Sequence, residues 1–335
     1  MHRRISFTLI AIASALLIGC SSHPHLSVDE GYTQFKKAIR DVETSEEKAR
    51  LCEEFLSQFP QSEHTGDLAE AAAYYRGEAM DDPAGAVTFL DDLLSKVQDP
   101  DMRFSIQVAQ FPLATKIGRE MDLGAVISDL QAHRPLTFSE HLNVGELAAG
   151  HDLWDLAESQ AEAASGLATA KAFRAEYPDT DLDDEAIASK AENRVVLAAA
   201  NRGWALAHLD RNQEALKVFE AAAPLSQSNY LGVPSTELFS YWGRTVLDQG
   251  DPERALELLG PNAVLGDNEE ALNAYRRAFI EVHDGEAGFE DFLWSARQEL
   301  AKVVDDFELP DYEGKLHTFG DTRGKVVFLS FWFPT

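Results

Sequence analysis

The sequence predicts a mainly α-helical protein that ends in a short α/β segment, and three observations predict it. Apolar residues recur with a 3.6-residue period from about Val28 to Val304, with almost no strand alternation. Most of these stretches open on a recognisable helix start. After Val304 the pattern changes to turn dipeptides and alternation, then to the near-continuous apolar run "KVVFLSFWF". At 335 residues and 45% hydrophobic composition the chain has room for two domains and a packed core. Its net charge of −28 argues against a nucleic-acid backbone or an anionic lipid surface as the main partner, because phosphate binding needs clustered Lys and Arg.

Residues 1–19 come first. Arg3 and Arg4 precede an apolar run from Ile5 to Ile18, and Gly19, Cys20, Ser21 and Ser22 follow. A positive start, a short apolar stretch and a small-residue cleavage site make a secretory signal peptide. The run is shorter than the ~20 residues a bilayer-spanning helix needs. "LIGC", Leu17 to Cys20, resembles the bacterial lipobox. That resemblance implies cleavage before Cys20 and acylation of its thiol, so Cys20 is the expected lipid anchor. Ser21 after the cysteine resembles the pattern that sorts such proteins to the outer membrane of Gram-negative cells. Cleavage removes two arginines and no acid, so the mature chain is more acidic still. Residues 20–32, with His23-Pro24-His25, are the expected tether.

Residues 33–303 form the expected helical domain. Thr44-x-x-Glu47 has the capping-box pattern, and Asp82-Pro83 and Asp251-Pro252 each place an acidic cap before a proline at the first helical position. Cys52 lies beside Leu51, Phe55 and Phe59 at helical spacing and reads as a buried core thiol. With Cys20 carrying lipid, no intramolecular disulfide is expected.

Self-similarity says more than any single helix. In "NRGWALAHLDRNQEALKVFEAAAP", Gly203, Ala215, Phe219 and Ala222 fall where the tetratricopeptide repeat places its small and aromatic packing residues. "YWGRTVLDQGDPERALELLGP" aligns Gly243, Gly250, Asp251 and Ala255 with the same pattern. The interval from Gly203 to Gly243 exceeds the family's spacing of about 34 residues, so "SQSNYLGVPS" is expected as an extended loop between units. Upstream, "FLSQFPQSE" (55–63) parallels "FRAEYPDTD" (173–181), each a helix ending at a proline. The stretch 83–166 shows amphipathic helices without an alignable repeat. The resemblance implies a curved scaffold with a groove for a peptide or partner protein; a helical spacer fits the same residues.

No chemistry-bearing motif stands out in the helical region. "DTDLDDE" (179–185) lacks the sixth-position glycine and twelfth-position glutamate of a calcium loop. His133, His141 and His151 do not have the i, i+4 spacing of helical zinc motifs. There is no phosphate loop or G-x-S-x-G elbow, and no cofactor or metal is expected.

Residues 304–335 are the expected last domain. Phe307 and Leu309 form one short arm, Glu313-Gly314 turns, and Leu316 and Phe319 return, feeding a strand of the doubly covered kind. "F-x-L-P-D-x-x-G-K" at Phe307 to Lys315 and "R-G-K-V-V-x-L-x-F-W" at Arg323 to Trp332 resemble the entrance of the redoxin branch of the thioredoxin superfamily, which includes TlpA-like thiol-disulfide reductases and peroxiredoxins. In the TlpA-like branch this strand leads to a C-x-x-C at a helix N-terminus, where the first thiol's pKa falls. Phe331, Trp332 and Pro334 then stand on the strand leading to that motif, and the catalytic cysteines are expected beyond Thr335. The adjacency of Pro334 and Thr335 favours the reductase over the peroxiredoxin pattern. The expected function is a periplasm-facing, lipid-anchored thiol-disulfide oxidoreductase fused to a helical interaction scaffold, with this chain lacking the catalytic cysteines. The alternative is a non-catalytic adaptor lipoprotein that binds partner proteins at the outer membrane.

Overall fold

A computed structural model describes residues 26–229, 232–266, 268–300, 305–311 and 313–325. The chain is mainly helical, with one small two-stranded sheet among the described residues. It forms two compact units, one reaching Leu136 and the other starting at Thr137.

The first unit contains α1 (Val28–Arg40), α2 (Ser45–Gln58), α3 (Thr65–Ala72), α4 (Pro83–Lys96), α5 (Pro100–Lys116) and α6 (Leu123–Gln131). The tether expected over 20–32 is helical from Val28, because Ser27 and Glu30 make a complete capping box that satisfies the free amides of the first turn. Thr44 and Asp82 cap α2 and α4 as the sequence predicts, accepting from the Glu47 and Gly85 amides. A π-helical turn, Ala73–Ala79, extends α3. Within it Gly77 lies so close to Leu113 of α5 that a Cβ would stand 2.5 Å from Cδ2. Leu56, Ala69, Leu90 and Ile106 fill the core, with Cys52 fully buried among them. Burial pushes that thiol up to about 12, so it stays protonated and inert at neutral pH.

The second unit contains α7 (Phe138–Ala149), α8 (Trp154–Leu167), α9 (Ala170–Glu176), α10 (Asp184–His208), α11 (Asn212–Ala222), α12 (Leu238–Asp248), α13 (Pro252–Leu265), α14 (Glu269–His283) and α15 (Phe289–Leu300). Three helix pairs share one packing register. Gly203 of α10 sits under Phe219 of α11, where a Cβ would meet the ring at 2.3 Å, and Gly243 of α12 meets Leu259 of α13 in the same way at 2.6 Å. Ala215 and Ala255 are fully buried beside them. The third pair, α7 and α8, repeats the pattern with Gly145 against Gln160 and with Ala157, Ala161 and Ala164 buried. Each pair turns on a left-handed residue seven positions after its glycine: Asp152, Asp210 and Gly250. The first helices pack side by side in the order α7, α10, α12, α14. Between α11 and α12, Ser228 and Pro234 form an isolated antiparallel bridge.

Beyond α15, β1 (Glu308–Pro310) pairs antiparallel with β2 (Leu316–Thr318). Gly314 supplies the left-handed turn, and Phe307 stacks on Phe319 at 4.9 Å. The sequence expects this hairpin at these residues. The strand expected after it, with Phe331, Trp332 and Pro334, lies outside the described residues, as do Cys20, the expected lipid anchor, and residues 1–19, expected as a signal peptide.

Candidate functional site

The candidate site is a cavity in the second unit, and it begins with the way α9 ends. Pro178 cannot continue a helix and biases Tyr177 away from helical geometry. Tyr177 accordingly leaves the helix at φ −124, ψ 71, with its amide still bonded to the Phe173 carbonyl. The Thr180 amide donates to the Tyr177 carbonyl at 3.2 Å, and the Leu182 amide donates to Thr180 Oγ1 at 3.4 Å. Asp183 then caps α10 by accepting from the Ala186 amide. This turn lays the long α10 back across α9, which brings Arg194 beneath the ring of Tyr177.

Arg194 is 5% exposed, an unusual degree of burial for a guanidinium. Phe138 at 4.5 Å, Phe173 at 4.7 Å and Tyr177 at 5.6 Å from their ring centroids surround it. Its Nη2 donates to Glu176 Oε2 at 2.8 Å. The other carboxylate oxygen accepts from the Ser139 amide at 3.3 Å, which ties α7 to the pair. A buried charge of this kind is tolerated because it is paired and hydrogen-bonded, with the aromatic faces adding cation–π attraction.

Beside the pair opens a cavity of about 830 Å³ between α7, α9 and α10. Its apolar lining is Phe138, Leu142, Phe173 and Leu197, and Lys190 and Asp179 stand exposed at its margin. Two buried polar atoms on consecutive lining residues have no hydrogen-bond partner: Asn193 Oδ1, an acceptor, and Arg194 Nη1, a donor.

A second surface runs along the first helices of the pairs. Trp204 of α10 stacks on Tyr241 of α12 at 4.8 Å, and the Arg244 guanidinium lies 4.3 Å over Trp204 while pairing with Glu270 of α14. His208 stacks on Trp154 at 3.8 Å. Burial raises the Tyr241 hydroxyl to about 12, so it remains a neutral donor.

The residues weighed from sequence fall elsewhere. His141 is buried with Nδ1 2.7 Å from Gln160 Oε1, a bond between α7 and α8. His133, in the turn after α6, lies against the Asp129 carbonyl of that helix. The acidic run 179–185 serves the fold: Asp183 caps α10 and Asp184 pairs with Arg174. No cluster of metal-ligating side chains occurs among the described residues. Sequence reasoning missed the Arg194–Glu176 pair, and the available signal was the aromatic-proline segment itself, which ends one helix at Glu176 and starts the next. It also missed the α7–α8 pair, whose Gly145 is followed by Ala157, Ala161 and Ala164 at the intervals that separate Gly203 from Ala215, Phe219 and Ala222.

No family model and no curated protein matches the chain. Among solved structures, a tetratricopeptide repeat protein from Parabacteroides merdae is similar over 75% of this chain and 98% of that one, at 12% identity and a TM-score of 0.32. A likeness at that level does not by itself assign a fold.

Proposed function

We propose that the chain is a tetratricopeptide-like adaptor that holds a partner protein against the face formed by α7, α10, α12 and α14. The observation that carries this reading is the common register of the three helix pairs, which sets these helices side by side and lines them with Trp204, Tyr241 and Arg244. Aromatic and arginine side chains on a rigid array are the groups that dominate protein interfaces. Acylation at Cys20 places the adaptor at the periplasmic side of the outer membrane, and replacing Cys20 by Ser is expected to release it from the membrane fraction with its helicity intact. A photo-crosslinking phenylalanine analogue at position 241 is expected to trap one protein species in cells, whereas the same probe at Lys217 of α11 traps none. Equal trapping from both positions, or none from either, would sink the adaptor reading.

The β1–β2 hairpin favours a second reading, in which the adaptor is attached to a redoxin-type thiol-disulfide oxidoreductase. Its turn and Phe307 fall on residues that carry that resemblance, and Phe319 of the returning arm stacks on Phe307. Cys52 is not the nucleophile, since burial holds its thiol protonated. The coding sequence downstream of Thr335 decides this point: a C-x-x-C followed by an α/β pattern supports the reductase, and its absence removes the reading.

A further inference from the structure

The geometry points to an uncharged, internal stretch of partner polypeptide as the occupant of the cavity between α7, α9 and α10, an inference that rests on the partner-binding reading above. The two unpaired atoms are of opposite kind. Asn193 Oδ1 needs an N–H and Arg194 Nη1 needs an oxygen, and both are buried with no hydrogen-bond partner in the protein. A peptide group offers one of each. A carboxylate would satisfy the arginine and set a second oxygen against Asn193. It would also gain little from charge, because Glu176 already neutralises Arg194, the two exposed charges at the margin, Lys190 and Asp179, are opposite, and the whole chain carries −28. Phe138, Leu142, Phe173 and Leu197 offer an apolar side chain a place to bury, and the volume suits a ligand of a few residues.

Tyr177 is the movable cover. Its ring lies over the guanidinium yet is 45% exposed, and its hydroxyl is 3.4 Å from Ser139 Oγ, longer than a good O–H···O bond. In this proposal rotation of that side chain opens the guanidinium to the cavity, while Nη2 keeps its bond to Glu176 Oε2.

The test is calorimetric titration of the purified full chain with acetyl-Ala-Leu-Ala-amide, the same peptide ending in a free carboxylate, and acetate. The capped peptide is expected to bind about tenfold more tightly than the free acid, the cost of one buried group left unpaired. Asn193→Leu should weaken capped-peptide binding by a similar factor, Asn193→Asp should restore it because a carboxylate still accepts an N–H, and Lys190→Gln should leave it unchanged. Tighter binding of the free acid or of acetate, with weakening by Lys190→Gln, would mean an anion site and overturn the inference. Silence from both peptides at about 1 mM would overturn it as well. The cross-link from position 241 is independent of the cavity, so its survival alongside failed peptide binding removes this inference and spares the adaptor reading.

Discussion

The same local motif occurs in both units and does different work in each. In the first, α2 ends at Phe59 with φ −128 and ψ 60; in the second, α9 ends at Tyr177 with φ −124 and ψ 71. Both caps bond back to a phenylalanine four residues earlier, and the ring pairs are nearly alike, 5.1 Å and 47° against 5.0 Å and 43°. Both are followed by a proline and then a hydroxyl residue that bonds the next turn. What differs is the filling. Phe59 packs onto Gly31 of α1, and Tyr32 and Phe35 crowd the same cluster. Tyr177 instead covers a buried arginine at the edge of a cavity, with Ser139 and Asn143 of α7 on the facing wall. A backbone device that terminates a helix is thus indifferent to function, and the side chains of the helix opposite decide whether it closes a core or opens a site.

The largest expected effect separates the two arginines that follow these turns. Arg194 has Glu176 as its acid, with side chains 7% and 11% exposed, so Glu176→Ala leaves a buried charge unpaired and should cost about 3 to 5 kcal/mol. Arg76 of the first unit is 31% exposed and keeps Asp82 when Glu53 is removed, so Glu53→Ala should cost about 1 kcal/mol or less. Urea unfolding of the two variants measures the difference. Equal losses would show that Arg194 is no more dependent on its partner than a surface arginine.

Next come the glycines on which aromatic rings rest. A Cβ at Gly31 would stand 2.5 Å from Phe59 and one at Gly203 would stand 2.3 Å from Phe219, so Gly31→Val and Gly203→Leu should each cost about 1 to 3 kcal/mol by overpacking. Gly166 of α8 has nothing within 4 Å of its would-be Cβ, and Gly166→Ala should be neutral or stabilise by about 0.5 to 1 kcal/mol. Unchanged melting of Gly203→Leu would remove the shared register of the helix pairs.

Much of the fold was legible because its signals are local. Capping residues at Thr44, Asp82 and Asp251 act within one turn, and the Gly203 and Gly243 units carry their register in closely spaced small residues. The hairpin at 308–318 was legible from its turn and alternation. The α7–α8 pair was not, because Ala161 replaces the large residue that marks the other two pairs, leaving a run of alanines that looks like generic helix. The cavity was illegible for a different reason. Arg194 reads as one more surface arginine on a long helix, and only the folding of α10 across α9 and α7 encloses it. A site made by residues from three helices has no spacing to find.

The smallest expected effect is a pH dependence that tests how dry the aromatic surface of the second unit is. His208 stacks on Trp154 and meets Trp204 edge-on at 4.4 Å. Burial, and after it the Arg244 charge, holds its ring below the usual 6.5, against a weaker opposing pull from Asp152 and Asp248. A histidine whose folded-state pKa is depressed favours the fold when neutral. Its contribution is therefore complete above about 6.5 and is lost as pH falls below that value toward the folded-state pKa. Because the ring is partly solvated, screening limits the change to less than about 1 kcal/mol. His208→Phe keeps the stack and removes the proton, so the stability difference between parent and variant should change between about pH 7.5 and pH 5, with the parent losing more on acidification. A constant difference across that range would mean that His208 titrates alike in the folded and unfolded chains, and that the Trp154–His208–Trp204 cluster is wetter than its stacking distances imply.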